Sequence, residues 1–305
     1  MRIGFGLPQL GPFADPESLT KVARRAEELG FSSVWVFDRL LHPLQPKVPY
    51  PLGDGSLPDV YRRVLDPVEI LTFVAARTER VRLGTSVLNI PWYNPVLLAR
   101  RLTTLDVLSG GRLQLGFGIG WLPDEYEAAG VPWSARGKRA DETLDALKAW
   151  WTTDPVQVEG TFFRISKSYV SLKPVQKPHP PIYMAAYTPP AMKRAAREAD
   201  GWFPVGVPLS AVGPMFDSIK QMVEQAGRNP SSFKLIVRGN IEFTDSGANV
   251  ERRDFTGRLE DIAQDISLTK KLGAEELLLD VQFSPDVKTT DDILKRMEEI
   301  RTVAF

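Results

Sequence analysis

The residues able to do chemistry fall into three short clusters. The first is Asp38-Arg39, with His42 three positions on, after the apolar run Val34-Trp35-Val36-Phe37. A carboxylate, a guanidinium and an imidazole so close together can hold a proton, an anion or both. Each also has an ordinary use: Asp38 as a loop cap, Arg39 as its ion-pair partner, His42 as a plain loop residue. The second cluster is Gly116-Phe117-Gly118-Ile119-Gly120-Trp121. The third glycine of a dinucleotide-binding fingerprint would fall at Trp121, so that motif fails. The glycines either let a strand bend or let the backbone approach a flat ligand closely. The third cluster is Tyr187-Thr188-Pro189-Pro190. Thr188 can cap a helix whose first turn accepts Pro189. A helix start also offers free N–H groups and positive potential to an anion. Lys193, Arg194 and Arg197 follow on that helix and read as a solvated face.

These clusters need elements to position them. Each lies where a short β-branched or aromatic run gives way to an amphipathic helical pattern. Strand one is Arg2 to Leu7; its helix opens at Asp15-Pro16, carries Leu19, Val22, Ala23, Ala26 and Leu29 on one face, and stops at Gly30. Strand two is Ser33 to Phe37, and a proline-rich loop leads to a second Asp-Pro helix start at Asp66-Pro67, ending near Thr78. Strand three is Val81 to Leu88. Asn94-Pro95 opens its helix, with Leu98, Leu102, Leu105 and Leu108 inward and Gly110-Gly111 as the break. Strand four is Arg112 to Phe117, followed by a helix from about Arg136 to Trp151. Val156-Gln157-Val158 and Phe162 to Ile165 flank Glu159-Gly160 as a hairpin, which makes about 152–180 an insertion. Strands five to eight are Ile182 to Ala186, Trp202 to Val205, Lys234 to Phe243 and Glu276 to Val281. Their helices run from Pro189 to Ala199 and from about Ser210, Gly257 and Thr290.

Eight strands, each followed by a helix, predict an α/β fold: a (β/α)8 TIM barrel with an insertion before strand five, one domain over residues 1–305. A doubly wound sheet would carry its glycine fingerprint after strand one, where this chain has Leu7-Pro8-Gln9-Leu10-Gly11-Pro12. In a barrel the active site sits at the C-terminal strand ends. That selects Asp38-Arg39, Ser86-Val87-Leu88-Asn89, Gly118 to Trp121, Ala185-Ala186-Tyr187-Thr188, Gly206 and the region of Gln282.

Composition excludes several classes. The chain carries 38 basic and 38 acidic groups, no basic excess for nucleic acid. It has no cysteine and two histidines, so disulfides and thiolate metal sites are impossible and a His-rich metal site is not expected. No segment approaches the ~18 apolar residues of a membrane span, and Pro8 stops the first apolar run too soon for a secretory signal. The expectation is a cytoplasmic enzyme acting on a small molecule. Fifteen of the 25 prolines fall in the stretches 43–67 and 174–214, beside the strand ends where the clusters lie.

The same residues carry a family resemblance. Ala26-Glu27-Glu28-Leu29-Gly30-Phe31 with Val34 to Asp38, Arg80 to Leu88, Leu105 to Arg112, Gly118 to Tyr126, and Arg194-Ala195-Ala196 with Asp200-Gly201-Trp202 resemble the luciferase-like monooxygenase superfamily. The similarity is greatest to its deazaflavin (coenzyme F-420)-dependent oxidoreductase branch and runs from Arg2 through strand eight. It implies a barrel with the cofactor at its mouth and hydride transfer between ring carbon five and a small organic substrate. The alternatives are a two-component monooxygenase using reduced FMN from a separate reductase, and a flavin-binding barrel without catalysis. The implied cofactor positions are Asp38, Ser86, Val87, Asn89, Gly118, Gly120, Trp121, Ala185, Ala186, Tyr187 and Thr188. Ser86-Val87 would be a cis peptide behind the ring, and the phosphate would sit at the turn after strand five. A homodimer is the expected assembly.

Two positions depart from the family pattern. Many deazaflavin-dependent relatives have Asp-His where this chain has Asp38-Arg39. A guanidinium cannot act as an acid at neutral pH, but it can stabilise negative charge. His42 and Tyr126 are then the candidates for proton transfer, and Arg39 the electrostatic one. The common Gly-Gly-x-Ser after strand five is here Ala185-Ala186-Tyr187-Thr188: the hydroxyl is kept, and a tyrosine narrows the turn.

Overall fold

The alternating pattern closes on itself. A computed structural model of the chain describes residues 1–244 and 252–305. Its elements are β1 (Arg2–Gly6), α1 (Pro16–Glu28), β2 (Ser33–Val36), α2 (Pro67–Ala75), β3 (Arg82–Thr85), β4 (Leu88–Asn89), α3 (Pro95–Leu108) and β5 (Leu113–Gly118). There follow α4 (Pro123–Ala128), α5 (Arg136–Thr152), β6 (Val156–Glu159), β7 (Arg164–Ser168), β8 (Ile182–Met184), α6 (Pro189–Glu198), β9 (Gly201–Trp202) and α7 (Leu209–Gln225). The last are β10 (Lys234–Asn240), β11 (Glu242–Phe243), β12 (Thr256–Gly257), α8 (Leu259–Lys271), β13 (Glu276–Asp280) and α9 (Thr290–Ala304). Parallel pairing runs β3-β2-β1-β13-β10-β9-β8-β5, and β3 pairs with β5 to close an eight-stranded barrel. This is the (β/α)8 architecture, with no open edge in the main sheet. The hairpin β6–β7 is antiparallel and stands apart as its own two-stranded sheet between α5 and β8.

Helix starts follow from side-chain chemistry. The Asp15 carboxylate accepts from Glu17 N and Ser18 N, Asp66 from Val68 N and Glu69 N, and Asn94 from Val96 N and Leu97 N. Each precedes a proline at the first helical position, where a missing N–H costs nothing. Such caps contribute about 1 kcal/mol each. Thr188 holds the same position before α6, but its side chain makes no cap bond. That start is left with its amides unclaimed by a cap.

Strand residues alternate between the helix-facing core and the barrel interior. Val34, Val36, Leu83, Leu115, Leu277 and Leu279 join the large outer cluster with the helices. Trp35, Tyr183, Phe203, Ile236 and Leu278 form a separate cluster inside. Beneath it, buried Glu276 binds Trp35 Nε1 at 3.0 Å, Gln114 Nε2 at 3.2 Å, Arg2 Nε at 3.1 Å and the hydroxyl of Ser33. Trp35 fills its layer because its neighbours are glycines. A Cβ on Gly84 would lie 2.2 Å from the indole, and one on Gly4 2.5 Å from Nε1. Above Trp35 the interior opens into the site.

Several boundaries differ from the sequence expectation. Strand three is broken into β3 and β4 at Ser86-Val87. Strand seven ends at Asn240, after which Glu242–Phe243 pairs with Thr256–Gly257 instead of the barrel. Strand six keeps two paired residues plus an isolated bridge from Val205 to Arg238. The short helix α4 lies in what reads as a glycine-rich loop; Pro123 at its first position with Asp124 and Glu125 in its first turn start it. Among the described residues, no helix is long and apolar enough to cross a membrane. Trp35→Ala would empty the middle layer; we expect roughly 3–5 kcal/mol of destabilisation, read as a lowered urea midpoint.

Candidate active site

The C-terminal strand ends surround a cavity of about 580 Å³. Its wall on one side is the break in strand three. Ser86–Val87 is a cis peptide between non-proline residues. The neighbours grip it from every direction. Ser86 N donates to Val36 O at 2.6 Å, and Asp38 N donates to Val87 O at 3.2 Å. Arg238 Nη1 donates to Ser86 O at 3.0 Å and to its hydroxyl at 2.7 Å. Val87 packs on Gly118 so closely that a Cβ there would lie 2.6 Å from Val87 Cγ2. The glycine therefore belongs to the fit of strand against bulge. Gly120 has φ +68° and carries the chain past Asn89 and Trp92.

Arg238, from β10, was not among the expected site residues. It lines the cavity, is buried, and has every nitrogen engaged: Nε on Asn240 Oδ1 at 2.8 Å and Nη2 on Asp280 Oδ2 at 2.6 Å, besides the Ser86 contacts. Its guanidinium also lies 5.0 Å over the Phe37 ring. The available signal was an arginine within the apolar run Leu235-Ile236-Val237-Arg238, at an inward-facing position near a strand end.

Asp38 and Arg39 both line the cavity. Asp38 accepts from Asn89 N at 3.0 Å and the Tyr93 hydroxyl at 2.9 Å, both on Oδ2. It is the one carboxyl group among the described lining residues. Burial raises its pKa to about 7, outweighing the two hydrogen bonds that favour the charged form. Arg39 does not pair with Asp38. Its Nη1 meets Glu125 Oε2 on α4 at 2.7 Å, and both side chains are buried. Glu125 also accepts from Leu40 N at 2.9 Å. Burial pushes the Glu125 carboxyl upward, against the pull of Arg39. The guanidinium lies 4.9 Å from the Tyr61 ring centroid and 4.8 Å from that of Trp121.

Ser86, Val87, Asn89, Gly118, Gly120, Trp121, Ala185, Tyr187 and Thr188 also line the cavity. Ala186 lies just behind, its carbonyl accepting from Trp202 Nε1. Tyr187 spans to the tip of strand six, its hydroxyl donating to Val205 O and accepting from Val205 N. His42 and Tyr126 do not line it. The Tyr126 hydroxyl donates to Ile119 O, its ring packs on Trp92 and Trp133, and burial raises its pKa. Tyr126 braces the turn after β5. The His42 ring is half-buried in its loop, with Nε2 unpartnered among the described residues. Arg194 is buried on Asp141 and Gly137 O, tying α6 to α5, so that part of the helix is not a solvated face.

Thr188 and Ala191 at the start of α6 face the cavity beside Arg136. The loop after strand two brings Tyr50, Pro51 and Leu52 over the mouth. Leu52 meets Gly206, where a Cβ would lie 2.7 Å from Leu52 Cδ2. Among the described residues, no group of three or more His, Asp or Glu could hold a metal ion.

A flat ring fits this arrangement. The wall is built of Val87, Gly118, Ile119 and Gly120, and a side chain at Gly118 would displace it. Comparison with known proteins gives the family. The family model described as luciferase-like monooxygenase matches residues 4–276. The uncharacterized protein Rv0953c of Mycobacterium tuberculosis is 40% identical over 183 residues, 59% of this chain and 64% of that one. The chain thus spans somewhat under two thirds of the first relatives it matches. An F-420-dependent glucose-6-phosphate dehydrogenase of Amycolatopsis mediterranei is 34% identical over 191 residues (61% and 53%). An FMNH2-dependent dimethylsulfone monooxygenase of Pseudomonas putida is 32% identical over 179 residues (58% and 48%). The solved monooxygenase RslO1 of Streptomyces bottropensis superimposes with a TM-score of 0.83 at 25% identity, covering 99% of this chain and 98% of that one. With the closed barrel and a family match over residues 4–276, the chain belongs to the luciferase-like monooxygenase family.

Proposed function

We propose that the cavity binds coenzyme F-420 and that the protein is an oxidoreductase acting on a small organic substrate above the ring. The observation that carries this is the Ser86–Val87 wall, locked by Arg238 and closed against Gly118. When bound, the cofactor supplies hydride chemistry at ring carbon five. The protein's part is binding, orientation and electrostatics. Val87 and the Gly118–Gly120 backbone give a flat, apolar backing. The start of α6, with Thr188 uncommitted and Arg136 nearby, suits a phosphate without any basic excess in the chain. Tyr50, Pro51 and Leu52 shield the mouth from water.

Asp38 takes the proton-handling place that His holds in many deazaflavin-dependent relatives. It lines the cavity, and near neutral pH its carboxyl both holds and releases a proton. A carboxyl raised in the folded state also lowers stability as pH climbs. The penalty grows from the ordinary carboxylate range near 4 up to about 7 and is constant above. His42 and Tyr126 do not line the cavity, and this reading gives them no direct part in the reaction.

The second reading is reduced FMN with oxygen and a separate reductase. It is favoured by the likeness to RslO1 and to the Pseudomonas enzyme. Titrating the purified apoprotein separates the two: we expect micromolar binding of F-420 followed by fluorescence. Binding of FMN with none of F-420 would overturn the first assignment. Gly118→Val should weaken cofactor binding at least tenfold, about 1.4 kcal/mol, with an unchanged circular dichroism spectrum. The pH profile of turnover should show an inflection near 7 that Asp38→Asn abolishes; an inflection surviving in that variant would remove the role given to Asp38.

A further inference from the structure

The cavity at the barrel mouth has a neighbour. A second hollow of about 810 Å³ lies beside it, at the start of α7. Tyr50, Leu52, Gly206, Val207, Asn240 and Phe283 line both. These shared residues make a neck between an inner and an outer chamber. The reading of the inner chamber given above leaves the outer one unused.

At the neck Leu52 sits on Gly206. Gly206 has φ +70°, and a Cβ there would lie 2.7 Å from Leu52 Cδ2. Only a glycine leaves room for that contact. Leu52 is also held through its own turn. Tyr50 N donates to Gly55 O at 2.8 Å and Gly55 N to Leu52 O at 3.4 Å, with Gly53 and Gly55 at φ +65° and +88°. Tyr50 anchors this turn to the inner wall: its hydroxyl lies 3.1 Å from that of Tyr61, and its ring meets Trp121 edge-on at 5.4 Å. Leu52 therefore has a set position, and it closes one side of the neck.

The lining of the outer chamber says what it suits. Pro58, Pro204, Pro208, Val212, Val237 and Phe255 are apolar. Among the described residues, each charged group in that lining already has a protein partner. Arg238 pairs with Asp280, Arg253 with Glu242 and Arg252 with Asp265, while Asp254 accepts from Leu209 N. A charged guest would give up its water without gaining a free counter-ion. A neutral chain gains with every methylene it buries. Thr188, Ala191 and Arg136, the phosphate end of the proposed cofactor site, line only the inner chamber. That leaves the neck and the outer chamber to the substrate.

We propose that Leu52 sets the length of substrate the protein accepts. The substrate is a neutral, chain-like molecule with its reacting end in the inner chamber, and Leu52 on Gly206 stops its tail from running on into the outer one. This rests on the reading of the inner cavity as an active site but not on the choice of cofactor.

The probes are straight-chain primary alcohols from 1-butanol to 1-decanol. They are titrated by calorimetry into the apoprotein and into protein saturated with cofactor. Each methylene that finds a place in the inner chamber should raise affinity about fourfold. In the unaltered protein we expect that climb to stop at a definite chain length. Leu52→Ala should join the chambers and move the break longer by roughly two to three carbons, the size of the side chain removed. Leu52→Phe should move it shorter, and it serves if the alanine variant does not fold, as judged by circular dichroism. An affinity that climbs without a break to 1-decanol, no binding of any alcohol in either state, or a break that stays in place in the folded variants would overturn the proposal. Cofactor titration of the same samples is read separately. A break moved by Leu52 in a protein that binds neither F-420 nor FMN sinks the proposed function and leaves this inference standing; cofactor binding with an unmoved break does the reverse.

Discussion

The Arg238–Asp280 ion pair, dry inside the barrel, is the contact around which the upper layer is arranged. Two charges out of water are tolerable only with excellent geometry and every remaining donor satisfied. Here Nε of Arg238 goes to Asn240 and Nη1 goes to Ser86. That requirement places the bulge of strand three. The bulge places Val87 against Gly118, and Asp38 closes the other side through Val87 O and Asn89 N. Removing one member of such a pair costs roughly 3–5 kcal/mol, mostly from the charge left behind. Gly6 obeys the same constraint, since a Cβ there would sit 2.5 Å from the Asp280 carboxyl carbon.

The barrel was legible in the sequence because it rests on local signals. Asp15-Pro16, Asp66-Pro67 and Asn94-Pro95 each mark a helix by chemistry that operates within four residues. The strands follow from periodicity over five or six. What was not legible depends on contacts far apart in the chain. Arg238 meets Ser86 across 152 positions and Asp280 across 42. Glu125 meets Arg39 across 86. In a linear reading Arg39 beside Asp38 looks like a neighbouring ion pair, yet the two side chains go to different partners. Tyr126 sits in a telling motif, but that motif is held together by its hydroxyl on Ile119 O, a structural duty. The departure from Asp-His to Asp38-Arg39 was visible at once; its compensation through Glu125 and the flanking rings was not.

Electrostatically the site is balanced. Arg39 is offset by Glu125, and Arg238 by Asp280, so the interior charges cancel in pairs. Asp38 remains without an opposite partner, which is why burial dominates its titration. Positive potential is left at the rim, at Arg136 and the start of α6. A chain of zero net charge thus keeps a neutral centre beneath a positive edge.

The middle layer of the barrel has an evolutionary consequence. Trp35 occupies space that Gly4 and Gly84 vacate, while Phe203 stands close to Gly116. None of these positions can enlarge by itself, and Trp35 cannot shrink without leaving a void. Their identities are thus exchangeable only as sets, with a smaller aromatic accompanied by larger neighbours in a coordinated step. The floor beneath the site should therefore drift slowly through related sequences.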